Sequence, residues 1–249
     1  MRSTPRIFSF SLFFSIVLPG LAFAQSKSLS EVIKELRGIH LEEKDDTVDV
    51  PEIARQLLPQ MKHGLLIEIT DALEDDQNTG SSPEALRGII LKNLNANNVA
   101  LESPDERHRE DDFSGLYGRF ERLDVMEPPG HADLIAVRTT ISIPYGDDSS
   151  LYIFRRTKAH WRLVLSREQN EYASISDAPG RYEFEISPPD ENGDWFVVAV
   201  DVNAWPTSNW ASTLTSVFSV TETSFASKPL KPSFVIVITY VPVGKVDRV

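Results

Sequence analysis

The side chains best suited to acid–base chemistry in this chain are its five histidines, no two of which stand three or four residues apart. His108 has the densest carboxylate neighbourhood, because every Asp and Glu of residues 105–112 lies within four positions of it. Such a histidine can act as a general base or bind a metal. Charge runs usually face solvent, and two arginines balance part of this one, so a solvated linker is the plainer interpretation. His108 and His160 are the candidate catalytic residues.

The nucleophile motifs that a sequence can reveal are absent. The chain contains no G-x-S-x-G elbow, no S-x-x-K, no H-E-x-x-H and no phosphate-binding loop. It also has no cysteine, which excludes a thiolate nucleophile, a disulfide and a cysteine-ligated metal centre. A Ser/His/Asp triad assembled from distant residues stays open, because geometry and not spacing defines it.

One segment resembles the start of a calcium loop. Asp190, Asn192 and Asp194 alternate as oxygen ligands would, and Asp201 falls at the twelfth place. Trp195 stands where that loop requires glycine at the sixth place. A hairpin turned by Asn192-Gly193 explains the pattern better. We therefore predict no metal site, and no cofactor.

Three tryptophans fall within residues 195–210. An indole face beside amide groups suits a flat polar ligand such as a sugar, because the ring stacks while the amides form hydrogen bonds. Trp205, Asn209 and Trp210 are the candidate ligand-binding residues, although large aromatic side chains are more often buried than exposed. Trp195 lies in a strongly apolar stretch and is predicted to belong to the core.

A basic concentration spans residues 155–167, with Arg155, Arg156, Lys158, Arg162 and Arg167. It could hold an anion or an acidic partner. The net charge of −12 makes pairing within the chain easy, so we expect these side chains to pair across strands with Glu residues, or with the acidic helical half. The same negative charge argues against a nucleic acid partner.

The elements that must position these residues divide into helices and then strands. Ser28 and Glu31 form a capping-box pattern before a short amphipathic helix that stops near Gly38. Pro51 opens a second helix, with a kink or restart at Pro59. Ser82-Pro83 opens a third helix. From Phe113 the hydrophobic period falls to two, which predicts strands at 114–127, 132–143, 150–158, 160–168, 181–187, 194–202, 211–222 and 233–241.

This order predicts an α+β protein in which N-terminal helices pack on one face of a C-terminal antiparallel β-sheet region of about eight strands. Residues 25–112 form the helical part and 113–249 the β-rich part, with one continuous domain over 25–249 as the alternative. The segments 195–202 and 234–241 are apolar on both faces, so both are expected to be central, buried strands.

Residues 1–24 have the pattern of a signal peptide. Arg2 and Arg6 precede an apolar run that is too short to span a bilayer, and Ala22-Phe23-Ala24 fits the small-x-small cleavage rule. The mature chain is expected to begin at Gln25, to carry no membrane span after cleavage, and to be periplasmic or extracellular.

Residues 51–168, with two helical stretches and a meander that ends in Trp161-Arg162-Leu163-Val164-Leu165, resemble an NTF2-like cone, although the strand that this family places between its helices is missing. The segment 195–220, with Trp205-Pro206-Thr207-Ser208-Asn209-Trp210, is similar to stretches of uncharacterised exported bacterial proteins and implies no activity. The first resemblance implies a cavity between helices and sheet.

Three functions remain open from the sequence. The absence of a recognisable catalytic set favours a non-enzymatic binding or interaction module, with a small polar ligand or a protein as its partner. The first alternative is a cofactor-independent hydrolase or isomerase with an NTF2-like cavity, which needs an ionisable pair inside a pocket. The second is a structural envelope component that acts in a complex, with the run 234–241 joining the sheet of a partner.

Overall fold

The structure is a computed structural model that describes residues 27–39, 50–75, 81–97, 99, 117–143, 146–158, 160–168, 181–204, 210–220 and 237–242. Three helices come first, followed by eight strands. The helices are α1 (Leu29–Arg37), α2 (Glu52–Asp75) and α3 (Pro83–Ala96). The strands are β1 (Phe120–Met126), β2 (Leu134–Ile143), β3 (Gly146–Arg156), β4 (Trp161–Arg167), β5 (Arg181–Ile186), β6 (Trp195–Ala204), β7 (Trp210–Val220) and β8 (Val237–Pro242).

Local signals in the sequence start the helices where they were predicted. The Ser28 hydroxyl accepts from the Glu31 amide at 3.3 Å, and the Glu31 carboxylate accepts from the Ser28 amide at 2.8 Å. Each residue thereby satisfies an amide that the first turn leaves without an intrahelical partner. Ser82 caps α3 in the same way, ahead of Pro83. Pro59 lies inside the single helix α2, so the predicted restart there is wrong.

The eight strands form two four-stranded antiparallel meanders, with the orders β1-β2-β3-β4 and β5-β6-β7-β8. We call them sheet A and sheet B. The α+β class and the antiparallel pairing are therefore confirmed. The prediction of a single sheet is not confirmed, because the strands divide into sheet A and sheet B, whereas the helices do cover one face of sheet A. All ten residues of β2 are buried, which requires a covering layer on each face of sheet A.

Those covering layers are the helices and sheet B. One core joins α1, α2 and α3 to the face of sheet A that carries Val137, Tyr152 and Phe154. The second core joins the opposite face of sheet A, which carries Ala136 and Ile153, to the inner face of sheet B. The order of layers is therefore helices, sheet A, sheet B, and the second contact is a β-sandwich.

The two strands that the sequence predicts to be central differ in position. Among the described strands, β6 lies between β5 and β7, as expected, whereas β8 lies at an end of sheet B, which contradicts its predicted central position. Residues 233–236 of that predicted strand lie outside the described residues. The outer face of β6 also keeps contact with solvent, since Phe196 is 44% exposed. An apolar pattern reports side-chain environment, and it carries no information on how many strands pair with the backbone.

Within the part of the chain that the structure describes, no helix is both long and apolar enough to cross a membrane.

Candidate functional site

Sheet A is polar at one end on both of its faces. The buried polar side chains lie where β2 finishes and β3 begins, in Arg138, Thr139, Thr140, Ser142, Asp148, Ser149 and Ser150. At the opposite end the same two strands carry Leu134, Ile135, Ile153 and Phe154. Cross-strand neighbours Thr140 and Ser149 share a hydrogen bond of 2.9 Å. Buried polar atoms need partners, so this end of the sheet must be organised by hydrogen bonds and ion pairs.

On the helix side, the ammonium of Lys62 from α2 lies 2.5 Å from the carboxylate of Asp148 on β3. Their side chains are 1% and 0% exposed, so the ion pair is excluded from solvent. Close by on sheet A, the Tyr152 hydroxyl donates to Glu168 at 2.8 Å. Burial raises the pKa of Tyr152, and the negative charge of Glu168 adds to that effect. Lys62 and Asp148 therefore form a buried ion pair near the Tyr152–Glu168 hydrogen bond.

Between the sheets lies a second set of charges, which we call the inter-sheet cluster: Asp124, Arg138, Arg167, Tyr182 and Asp201. The guanidinium of Arg138 contacts Asp124 at 2.5 Å and 2.7 Å and donates to the Tyr182 carbonyl at 3.2 Å. Arg167 of sheet A forms an ion pair with Asp201 of sheet B. The Arg167 guanidinium also lies 4.7 Å from the centre of the Tyr182 ring. The two arginines therefore tie sheet A to sheet B.

The electrostatics of this cluster follow from its burial. Burial raises the pKa of Asp201, and the adjacent Arg167 opposes that rise without cancelling it. Burial also raises the pKa of Tyr182, so its hydroxyl stays protonated. The Tyr182 hydroxyl, Asp201 Oδ1 and Arg167 Nη1 have no hydrogen-bond partner among the described residues. The two arginines and two aspartates of the inter-sheet cluster balance in formal charge. This favours a role in holding the two sheets together over a role as a binding site for an anion or a cation.

The predicted site residues lie mostly elsewhere. His108, Trp205 and Asn209 fall outside the described residues. Trp210 begins β7, where its backbone pairs with Pro242, and its side chain also falls outside the description. His160 is exposed in the turn between β3 and β4, where Thr157 donates to its carbonyl at 2.6 Å. The structure therefore does not bring His160 into either buried cluster, and the small polar ligand at Trp205, Asn209 and Trp210 stays a prediction.

Arg155 and Arg167 of the basic concentration on β3 and β4 pair with carboxylates within the chain, although these carboxylates are not the predicted ones. Arg155 lies 3.1 Å from Asp133, and Arg167 pairs with Asp201. Arg156 donates to the Ala132 carbonyl at 2.8 Å. Asp133 belongs to the connection between β1 and β2 and Asp201 to sheet B, so these carboxylates come from neither a facing strand of the hairpin nor the helices.

The hairpin interpretation of the calcium-like segment is confirmed. The Asp190 carboxylate accepts from the amides of Asn192 at 2.8 Å and Asp194 at 2.9 Å. Gly193 has φ = 81°, which a residue with a Cβ rarely adopts. The Asp190 carboxylate is thus engaged in a turn and Asp201 in an ion pair, and no group of three metal-binding side chains occurs among the described residues.

Sequence reasoning missed His131. This residue is 4% exposed, and its Nε2 lies 2.8 Å from the Ser187 carbonyl. Its ring centre lies 5.2 Å from that of Trp195, and the two rings are T-shaped to each other. Gly130 brings the chain there with φ = 79°, close to Pro188. The only local signal is the Pro-Pro-Gly turn before it, which predicts a loop and not a buried contact between the two sheets.

Among the described residues, the side of sheet B that faces away from sheet A, which we call the outer face, exposes apolar side chains. Phe196 is 44% exposed, and Val198, Val200 and Val202 follow on the same face of β6 with partial burial. On the neighbouring strand, exposed Glu185 and Glu183 stand opposite Val198 and Val200. The outer face thus carries an apolar stripe along β6 with an acidic border on β5.

A groove of about 390 Å³ lies along α1, bordered by Ser30, Glu31, Ile33, Lys34 and Arg37. None of these residues belongs to the Lys62–Asp148 pair or to the inter-sheet cluster. The buried charges and this open groove are therefore separate features.

Comparison of the chain with protein-family models, with curated proteins and with solved structures found no match.

Proposed function

We propose that this protein is an exported, non-enzymatic interaction module that binds a protein partner through the outer face of sheet B. The observation that carries the proposal is the exposure of Phe196 on the central strand β6 of a sheet whose inner face packs on sheet A. Scattered apolar side chains are ordinary on protein surfaces, but a contiguous apolar stripe is typical of an interaction site. Here the stripe follows a central strand, where the backbone is already paired on both sides.

The border of the stripe defines the chemistry of the partner. Glu183 and Glu185 lie on the same face as Val200 and Val198, so a partner gains most if lysine or arginine borders its own apolar surface. The net charge of −12 works in the same direction. Two copies stacked face to face would bring these acidic borders together, which disfavours self-association through this surface.

The buried charged residues argue against the alternative that this protein is a hydrolase or isomerase. A hydrolase or isomerase needs an ionisable pair that a substrate can reach. Lys62 and Asp148 lie between helices and sheet, where an NTF2-like cavity would be, but their side chains are at most 1% exposed and pair with each other. Arg167 and Asp201 are similarly occupied. These pairs stabilise layers in our proposal.

The proposed location of this module is the periplasm or the extracellular space, as the pattern of residues 1–24 favours. Expression of the full chain with recovery of the exported fraction tests it. We expect the N-terminal residue of that fraction to be Gln25. Recovery of the chain only inside the cell, still beginning with Met1, would contradict export.

The binding surface can be tested with a defined probe. A synthetic peptide that alternates valine and lysine presents an apolar side and a basic border, and the same peptide with glutamate in place of lysine reverses the charge. We expect fluorescence anisotropy to show binding of the lysine peptide and much weaker binding of the glutamate peptide. The substitution Phe196→Ser should weaken lysine-peptide binding by about tenfold, since covering the exposed part of this side chain contributes roughly 1.4 kcal/mol.

The chain offers two matched controls. Ile53 and Ile67 on α2 are 46% and 45% exposed, nearly the same as Phe196. Ile53→Ser and Ile67→Ser should leave peptide binding unchanged. Equal losses in all three variants, or equal binding of the two peptides, would refute the outer face as the binding surface.

A further inference from the structure

The two end strands of sheet B differ in charge. β5 contains Arg181, Glu183 and Glu185 within its six residues. β8, with the sequence Val-Ile-Thr-Tyr-Val-Pro, contains no charged residue. Charged side chains on an end strand discourage pairing with another chain, whereas an uncharged, β-branched end strand is a template for it. Sheet B is thus protected at one end and open to pairing at the other, within the described residues.

We propose that β8 pairs antiparallel with β8 of a second copy of this chain, about a two-fold axis at Thr239. The pairing places Val237 opposite Val241, Ile238 opposite Tyr240, and Thr239 opposite its own copy. Pro242 falls just beyond this ladder, where its missing amide hydrogen costs no bond. This dimer is independent of the outer face, so it goes beyond the proposed function.

Three physical reasons favour the pairing of β8 with β8 of a second copy. Its cross-strand pairs are β-branched or aromatic, which are the pairs that stabilise antiparallel ladders. It brings no charge into the contact, although each chain carries −12 overall. The antiparallel order of β5-β6-β7-β8 simply continues into the second copy.

The two-fold symmetry of this pairing also limits the assembly to two chains. A two-fold contact uses the same edge on both copies and closes after two chains. The joined sheet then has eight strands, and both of its ends are the charged strand β5. The uncharged edge is removed in this way without forming a fibre.

Engineered cysteines test the register directly, because the chain has no cysteine of its own. Thr239→Cys places two thiols opposite each other across the axis, within the spacing that a disulfide needs. We expect a disulfide-linked dimer after mild oxidation. Val237→Cys is the matched control, because its thiol would lie opposite Val241 and roughly 13 Å from its own copy along the strands. The double variant with Val237→Cys and Val241→Cys should again cross-link.

Light scattering after size-exclusion chromatography tests the association without cross-linking. We expect a concentration-dependent dimer that is strengthened by salt, since salt screens the repulsion between two acidic chains. Thr239→Lys should weaken the dimer at least about tenfold, because two lysines then meet at the axis. Glu183→Lys on β5 should not weaken it. Circular dichroism and thermal melting verify that each variant is folded.

The outcomes decide the proposal even where a variant fails to fold. A wild-type chain that stays monomeric at every concentration overturns it. So does equal cross-linking of Thr239→Cys, Val237→Cys and a Glu183→Cys variant on β5. Loss of peptide binding in the Phe196 variant with an unchanged dimer separates this result from that of the proposed function.

Discussion

Removal of one partner of the Lys62–Asp148 pair should destabilise the protein strongly. Lys62→Met removes the ammonium and leaves the Asp148 carboxylate in a place where the structure gives it no exposure. Removal of one partner of a buried ion pair typically costs about 3–5 kcal/mol, because the remaining charge loses its counter-ion in a place from which water is excluded. This is a large share of the roughly 5–15 kcal/mol that stabilises a typical protein.

The magnitude can be read from two unfolding experiments. For a chain of this size, about 1 kcal/mol lowers the melting temperature by roughly 2–4 °C, so the loss corresponds to about 6–20 °C. Urea unfolding followed by circular dichroism should show a lower midpoint with an unchanged slope, because the surface exposed on unfolding stays the same. Asp148→Asn should cost a similar amount.

The double variant separates a specific pair from two independent effects. With both charges removed, the loss should be smaller than the sum of the single losses by about 2–3 kcal/mol. Arg55→Met is the matched control on the same helix, since its pair with Glu52 is 42% and 67% exposed. Exposed pairs contribute only about 0–1 kcal/mol. Single losses below about 1 kcal/mol with additive behaviour would refute the burial of this pair and the packing of α2 on sheet A that produces it.

The free energy of unfolding should depend on pH through Asp201. Burial raises the pKa of Asp201, so the native state keeps its proton to a higher pH than the unfolded chain, and the contribution of this residue to stability falls as pH rises from about 4 towards neutrality. Asp201→Asn should remove that part of the slope in urea titrations at several pH values, and an unchanged slope would contradict it. Ser28→Ala should lower the stability measured by urea unfolding by about 1 kcal/mol, because the α1 cap is lost, and a neutral result would show that α1 adds nothing to the cooperative unit. A chain that ends after Pro232 should lose cooperative melting, because β7 loses its partner β8, whereas a chain that ends after Gly244 should melt near the full-length temperature. Similar melting of the two shortened chains would show that β8 is dispensable.

Much of the secondary structure could be predicted because its signals are local. Ser28 with Glu31, and Ser82 with Pro83, satisfy or remove amides within one turn, so their effect does not depend on the rest of the fold. The alternation of Tyr182, Phe184 and Ile186 with charged residues likewise reports one strand with one buried face. The restart predicted at Pro59 is wrong because a proline acts locally, while packing on both sides of it holds α2 together, and the alternative of a kink there stays a prediction.

The site could be predicted much less well. Lys62 and Asp148 are 86 positions apart and carry no motif, and Arg167 finds Asp201 only after two sheets have packed. His131 shows the same limit, because its contact with Trp195 joins the β1–β2 connection to the start of β6, 64 positions further along the chain. The tryptophans near residue 205 instead predict a ligand site in a segment that lies outside the described residues.

The sequence by itself determined the helices, the eight strands, the acidic charge and the lack of any cysteine chemistry, since each depends on residue types and short spacings. The tertiary structure alone decided that the strands divide into two sheets, that sheet A is buried on both faces, and that β8 lies at an end of sheet B. The physical reason is that a strand pattern records which side chains avoid water. Which layer covers those side chains, and which backbone pairs with which, depends on contacts between residues distant in the chain.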